Sequence, residues 1–203
     1  MNTSSPTAAF SANPSACDFQ RWTGGCASRG FTLVELMMVL CVAGVLMSFA
    51  VPSFGRLMSS SKLTAASNAL LSSMYLARSE AIKRNGRVAL CKSVDGSSCT
   101  GSGGWEQGWI VFRDSNNNGD RDSGEPIIER IQPLPTMRVT GNTPVAKYVS
   151  YVATGSTRLI GGGFQAGTVT VCVQPGTSNE ARQIIVSSVG RPRIQKVSAS
   201  ECV

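Results

Sequence analysis

The chain has 203 residues and a formal net charge of +7, from 19 lysines and arginines against 12 acidic residues. It has no histidine, which excludes Ser-His-Asp and Cys-His catalytic arrangements and most catalytic zinc sites. The acidic residues concentrate in one hydrophilic loop and not in an apolar pocket, so we expect no enzymatic activity. The modest basic excess permits a nucleic-acid or anionic-lipid partner but does not require one.

The first 30 residues are rich in Ser, Ala, Thr and Pro and lack an apolar period, which predicts an unfolded leader over residues 1–30. The following stretch, Phe31 to Val51, is apolar except for Glu35. As a helix it would be about 31 Å long, which matches the hydrocarbon core of a bilayer. We therefore predict a transmembrane helix over residues 31–52. The alternative is a secretory signal peptide, but its apolar core is usually shorter and is followed by an A-x-A-like cleavage site.

Glu35 needs a partner or a proton, because a carboxylate in the apolar part of a spanning helix is costly. If the chain were cut after Gly30, the new amine of Phe31 would lie one helical turn from Glu35 and could neutralise it. Arg21 and Arg29 precede the helix, which predicts a cytoplasmic N-terminus and a C-terminal domain on the other side of the membrane.

The motif at residues 30–35, Gly-Phe-Thr-Leu-Val-Glu before an apolar helix, resembles the class III signal of type IV pilins and type II secretion pseudopilins. The resemblance implies cleavage after Gly30 by a prepilin peptidase and N-methylation of Phe31. It also implies assembly through the helix, with Glu35 guiding docking into a filament. The implied partners are other pilins or pseudopilins, the peptidase and an inner-membrane assembly platform, with the head in the periplasm.

Residues 53–86 are predicted to continue as an amphipathic helix that packs on the head. Its apolar positions recur at three- and four-residue steps: Leu63, Ala66, Leu70, Met74, Ala77 and Ala81. Asn85 and Gly86 are typical of the residues that end a helix.

Residues 87–203 are predicted to form a β-rich head, because short apolar runs alternate there with Gly, Asn and Pro. The predicted strands are Val88–Cys91, Trp109–Phe112, Ile127–Ile131, Met137–Val139, Tyr148–Val152, Thr168–Cys172, Gln183–Ser187 and Pro192–Val197. A long helix followed by antiparallel strands indicates an α+β fold.

Four of the seven cysteines lie in the predicted head, an even number that suits disulfides in an oxidising compartment. Four cysteines allow three pairings, and proximity favours Cys91–Cys99 and Cys172–Cys202. A zinc site is the alternative, but Cys91 and Cys99 lack the usual short ligand spacing.

Several runs in the head resemble the GspH/FimT branch of the pilins. They are residues 88–91, Cys99, the Trp-rich run 105–114, residues 118–119 and 124–125, and the closing run 185–191. The resemblance covers nearly all of the mature chain and implies a type IV pilin-like fold, in which a long N-terminal helix packs on a small antiparallel sheet.

The acidic loop matches the twelve-position template of calcium-binding loops, including the central glycine. Its candidate ligands are Asp114, Asn116, Asn118, Asp120, Asp122 and Glu125. The flanking segments read as strands and not as EF-hand helices, so the alternative is a polar hairpin loop whose Asp and Asn side chains bond their own backbone. Calcium is the one cofactor that the sequence suggests.

The second candidate site is the Gly-Arg-Pro-Arg segment at residues 190–193, supported by Lys196. In an extended segment, Arg191 and Arg193 would point to the same side and could contact successive phosphates. Gly190 permits close backbone approach. By itself the segment is typical of an ordinary basic hairpin turn. It resembles the G-R-x-R motif with which FimT-type minor pilins bind incoming DNA, and this resemblance makes double-stranded DNA an expected partner. The alternative function is a structural minor pseudopilin of type II secretion that does not bind DNA.

Overall fold

In the computed structural model, residues 30–174 and 180–202 are described, except for the side chains of residues 49–53 and 56. Apart from Gly30, the predicted leader lies outside the described residues. The chain divides into two compact units, residues 1–44 and residues 45–203, and each unit is considered by itself.

The α-helix of the described residues, α1, has the bounds Leu33–Lys83. Its start is capped by Thr32, whose hydroxyl accepts the backbone N–H of Glu35 at 3.2 Å and whose carbonyl accepts that of Leu36 at 3.1 Å. In the described part of the chain, no helix is both long and apolar enough to cross a membrane. The predicted span over residues 31–52 includes residues 49–52, whose side chains lie outside the described part.

Within the second unit, α1 buries the apolar stripe that its sequence period predicts. All six stripe residues are at most 6% exposed: Leu63, Ala66, Leu70, Met74, Ala77 and Ala81. The helix stops where a left-handed residue, Asn85 with φ of 48°, allows the Gly86 N–H to reach the Ala81 carbonyl at 3.1 Å.

The head contains two four-stranded antiparallel sheets, with the orders β3-β2-β1-β5 and β4-β6-β7-β8. The strands are β1 Val88–Lys92, β2 Trp109–Arg113, β3 Ile127–Ile131, β4 Met137–Gly141, β5 Tyr148–Tyr151, β6 Gly167–Val173, β7 Glu180–Val186 and β8 Pro192–Ser198. Each predicted strand overlaps one of these, and the α+β prediction is confirmed.

The core lies between α1 and the inward faces of both sheets. Two tryptophans at its centre are fully buried, and each still has a partner for its indole N–H. Trp105 donates to the Val145 carbonyl at 3.1 Å, and Trp109 donates to the hydroxyl of Ser73 on α1 at 3.0 Å. A buried indole without such a partner would cost stability.

Disulfide bonds join Cys91 to Cys99 and Cys172 to Cys202, the two pairs favoured by the sequence. The first ties β1 to the loop that follows it. The second ties β6 to the short C-terminal helical turn after β8.

Candidate functional site

The Gly-Arg-Pro-Arg segment begins in the tight turn between β7 and β8. The Gly190 N–H donates to the Ser187 carbonyl at 2.8 Å, which closes a four-residue turn. The Ser187 hydroxyl then donates to the Arg191 carbonyl at 3.1 Å and accepts the Arg191 N–H at 3.3 Å. Ser187 and Arg191 therefore extend the pairing of the two strands to the base of the turn.

Two α1 side chains hold this segment through its backbone. Arg78 Nη1 donates to the Gly190 carbonyl at 3.0 Å, and the Tyr75 hydroxyl donates to the Pro192 carbonyl at 3.0 Å. Both bonds use carbonyls and leave the arginine side chains of the segment unengaged. The helix thus orients the segment without competing with Arg191 or Arg193 for a ligand.

A third anchor comes from Thr157, in the segment after β5. Its N–H donates to the Ser188 carbonyl at 3.2 Å, and its hydroxyl, which has one proton, lies 2.9 Å from the Ser187 carbonyl and 2.6 Å from the Gln165 carbonyl. The turn is therefore fixed from two sides, which lowers the entropy that a ligand must remove on binding.

Gly190 is required by packing inside the protein. Its φ is +77°, and a Cβ at this position would lie 1.9 Å from the carbonyl oxygen of Gly155. The sequence suggested that Gly190 allows a close backbone approach, and the structure shows that the approaching group is the backbone of Gly155. The glycine thus sets the position of the turn against its neighbour.

Arg191 and Arg193 are both exposed, whereas Pro192 between them is buried and its carbonyl accepts the Tyr75 hydroxyl of α1. Neither guanidinium forms a hydrogen bond or ion pair with any other residue whose side chain is described. They are therefore available for an anionic ligand.

Lys196 lies on the opposite face of β8 from Arg193. It is paired with Arg182, whose guanidinium donates to the Thr64 hydroxyl on α1 at 2.9 Å. Arg193 is paired with Ile185, on the face turned away from α1. The predicted support of the two arginines by Lys196 is therefore not seen in this arrangement.

The acidic loop between β2 and β3 folds onto its own backbone. Asp114 accepts the N–H groups of Asn118 and Gly119, both at 3.1 Å. Glu125 accepts the N–H groups of Ser115 and Asp122 at 2.6 and 3.1 Å. These are the side-chain-to-backbone bonds expected of a polar hairpin loop.

The remaining candidate calcium ligands are also engaged. The Asp122 carboxylate accepts both amide groups of Asn116 and Asn118, and Asp120 forms an ion pair with Lys147 at 3.1 Å. Burial raises the pKa of Asp114, against the backbone bonds that lower it. Within the described residues, no group of three or more acidic, Cys or His side chains is arranged to hold a metal ion.

Two family models match the sequence. The model described as type II transport protein GspH matches residues 66–190, which is more than half of the chain. This chain belongs to the GspH family. The second model, the prokaryotic N-terminal methylation motif, matches residues 26–51. The GspH-family chain is accordingly a minor pilin or pseudopilin of the type IV pilus or type II secretion type. It associates with other pilins in filaments and is membrane-anchored or incorporated in a filament.

Known relatives of this GspH-family chain are pilins. The pilin-like protein PilA1 of Thermus thermophilus is 28% identical over 178 residues, which cover 82% of this chain and 98% of PilA1. The type IV major fimbrial protein FimA of Dichelobacter nodosus is 22% identical over 116 residues, which cover 57% of this chain and 59% of FimA.

Solved structures of a minor pilin and of a minor pseudopilin are also similar to this chain. The type IV minor pilin FimU of Pseudomonas aeruginosa has a TM-score of 0.48 at 19% identity, over 70% of this chain and 92% of FimU. The minor pseudopilin EpsH from the type 2 secretion system of Vibrio cholerae has a TM-score of 0.44 at 8% identity, over 68% of this chain and 97% of EpsH.

The two family models match different candidate sites of the GspH-family chain. The methylation motif includes Gly30, Phe31 and Glu35. The GspH match includes the acidic loop and ends at Gly190, so Arg191 and Arg193 lie outside it. Sequence prediction missed one signal at the methylation motif. Thr32 and Glu35 have the spacing of a capping box, which predicts a helix that begins after Thr32.

Proposed function

We propose that this GspH-family subunit binds double-stranded DNA through Arg191 and Arg193 during pilus biogenesis or DNA uptake. The observation that carries the proposal is an anchored turn with two exposed guanidiniums, neither of which has a partner among the described residues. Guanidiniums bind phosphate oxygens in a fork geometry, and such contacts do not depend on base sequence.

The turn is suited to this role because its backbone is already fixed. Carbonyls from Ser187 to Pro192 are held by Tyr75, Arg78 and Thr157, so binding has to order only the two arginine side chains. Phosphate binding releases condensed counterions, so affinity should fall steeply as salt rises.

The proposal is tested with the full-length protein in a neutral detergent and a fluorescent duplex, by anisotropy at low and at physiological salt. Replacing Arg191 and Arg193 with Gln should reduce affinity at low salt by at least about tenfold. The matched control is the double replacement Arg113→Gln and Arg130→Gln, which removes two exposed arginines from the first sheet. Equal affinities of wild type and the Arg191/Arg193 variant would refute the proposal.

The alternative is a structural minor pseudopilin of type II secretion that supports protein export without binding DNA. The match to the GspH model favours it, because that match ends at Gly190, before the two arginines. In that case, the Arg191/Arg193 variant would retain secretion and the wild type would show no duplex binding. We assign no catalytic activity to either form of the subunit.

We propose that the subunit matures as the N-terminal motif implies. A prepilin peptidase cleaves after Gly30, the amine of Phe31 is methylated, and Glu35 guides docking at an inner-membrane assembly platform. The helix anchors the subunit as a single-pass inner-membrane protein with a cytoplasmic N-terminus and a periplasmic head. Intact mass of the protein extracted from membranes tests this: the expected N-terminus is methylated Phe31, and a chain that retains residues 1–30 would contradict it.

A further inference from the structure

The second sheet has a polar outer face, on the side turned away from α1. Its inner face carries core residues such as Val139, Val171 and Ile184, which alternate along the strands with outward-facing neighbours. Its polar outward-facing residues are Thr140, Thr168, Thr170, Gln183 and Gln195, and Ile185 lies among them, between Thr168 and Arg193. The five polar residues are partly exposed and carry hydroxyl or amide groups.

The charged strand residues on this face are all positive. Arg193 on β8 and Arg138 on β4 are exposed there, whereas the single acidic residue of the four strands, Glu180, has the register of the inner face. The C-terminal turn after β8 is attached to this face by the disulfide from Cys202 to Cys172, which is level with Arg138, and the turn carries the exposed Glu201. Arg138 forms no hydrogen bond or ion pair with another residue described in the structure.

The two arginines lie at opposite edges of the sheet. The order β4-β6-β7-β8 puts three inter-strand steps between them, about 14 Å. Along the strand direction, Arg193 is level with Thr168 of β6, through its pairing with Ile185. Arg138 is level with Cys172, four residues further along β6. The two arginines are therefore offset by about 13 Å along the strands. Their Cα atoms are thus about 20 Å apart on the diagonal, which corresponds to about six base-pair steps of a duplex.

The side chains between the two arginines can donate to phosphate oxygens. Threonine hydroxyls and glutamine amides are common phosphate donors in protein–DNA interfaces. Gln195 Nε2 donates to Gln183 Oε1 at 3.0 Å. The side-chain oxygen of Gln183 is therefore occupied, and the NH₂ group of Gln183 is left to donate to another acceptor.

We propose that bound duplex DNA crosses the outer face of the second sheet from the Arg191–Arg193 turn to Arg138. This inference rests on the proposed DNA binding and adds a second phosphate contact at the far edge of the sheet. The face suits a duplex because most of its exposed strand residues are polar, its two charged strand residues are arginines, and it is continuous with the turn. Arg138 is then a DNA-contacting residue that the family match and the sequence motif do not indicate.

The test measures the salt dependence of duplex affinity for the full-length protein in neutral detergent. Loss of one phosphate contact should reduce the slope of log affinity against log salt by about 0.9. We expect this change in Arg138→Gln, and not in the matched control Arg130→Gln on β3 of the first sheet. Arg138→Lys should retain most of the slope, because a lysine still neutralises the phosphate. Thermal midpoints of all variants show that the fold is kept.

The outcomes separate the two proposals. If Arg138→Gln has the wild-type slope, the path across the sheet is overturned and the role of the turn stands. The path is also overturned if Arg130→Gln lowers the slope as much as Arg138→Gln, since the effect then reports net charge alone. If the wild type fails to bind duplex at low salt, the proposed function is overturned together with the path.

Discussion

Replacing Gly190 with alanine tests whether packing against Gly155 sets the position of the basic turn. The new Cβ would lie 1.9 Å from the Gly155 carbonyl oxygen, and real Cβ contacts do not fall below 3.0 Å, so the turn must move by at least the difference of 1.1 Å. That movement breaks the Arg78 bond to the Gly190 carbonyl and weakens the two bonds from Thr157. The broken bond costs about 0.5–1.5 kcal/mol and the positive φ about 1–2 kcal/mol, so the variant should lose about 1.5–3.5 kcal/mol, and more as the Thr157 bonds weaken.

The control for this experiment is Gly162→Ala. Gly162 also has a positive φ, +89°, but no atom lies within 4 Å of the position of its Cβ. It should therefore lose only the conformational cost, about 1–2 kcal/mol. Urea unfolding followed by tryptophan fluorescence compares the two, because Trp105 and Trp109 are buried in the core. If Gly190→Ala loses no more stability than Gly162→Ala, the packing argument is wrong.

Three further predictions follow from the contacts described above. Tyr75→Phe removes the bond to the Pro192 carbonyl but keeps the ring and the charge, so duplex affinity should fall about two- to tenfold with an unchanged salt slope; unchanged affinity would show that this bond does not orient the turn. Calcium at millimolar concentration should leave the melting temperature unchanged, because the acidic loop satisfies its own carboxylates; a rise of several degrees would show that the loop rearranges around the ion. Backbone N–H bonds hold the pKa of Asp95 well below its usual value of 3.8, so it stabilises the fold above that pH and the contribution is lost as pH falls below it. The stability difference between wild type and Asp95→Ala should therefore shrink between about pH 5 and pH 2, and a constant difference would contradict the assignment.

The fold was largely predictable because each element carries a local signal. The stripe from Leu63 to Ala81 has helical period, and all eight predicted strands overlap an observed strand. The proximity argument also selected the disulfide pairs that the structure contains. The order of the strands in the two sheets was not predicted, because strand pairing depends on contacts between distant residues.

The residues of the candidate site came from the resemblance to the G-R-x-R motif, and their role in DNA binding stays a prediction. The two-residue spacing of Arg191 and Arg193 alone would equally suit an ordinary basic hairpin turn. Lys196 and Arg193 are three residues apart, so they lie on opposite faces of a regular strand. This follows only once β8 is known to pair regularly from Arg193 to Lys196. The neighbour of Gly190 is Gly155, which is 35 positions away in sequence, so its role needed the three-dimensional structure.

The most direct test of the account is an NMR titration of the full-length protein in detergent with duplex DNA. We predict amide shift changes at residues 187–193 and on the outer face of the second sheet up to Arg138, and none in the acidic loop at residues 114–125. Shift changes confined to other surfaces, or no change at low salt, would contradict DNA binding by this turn.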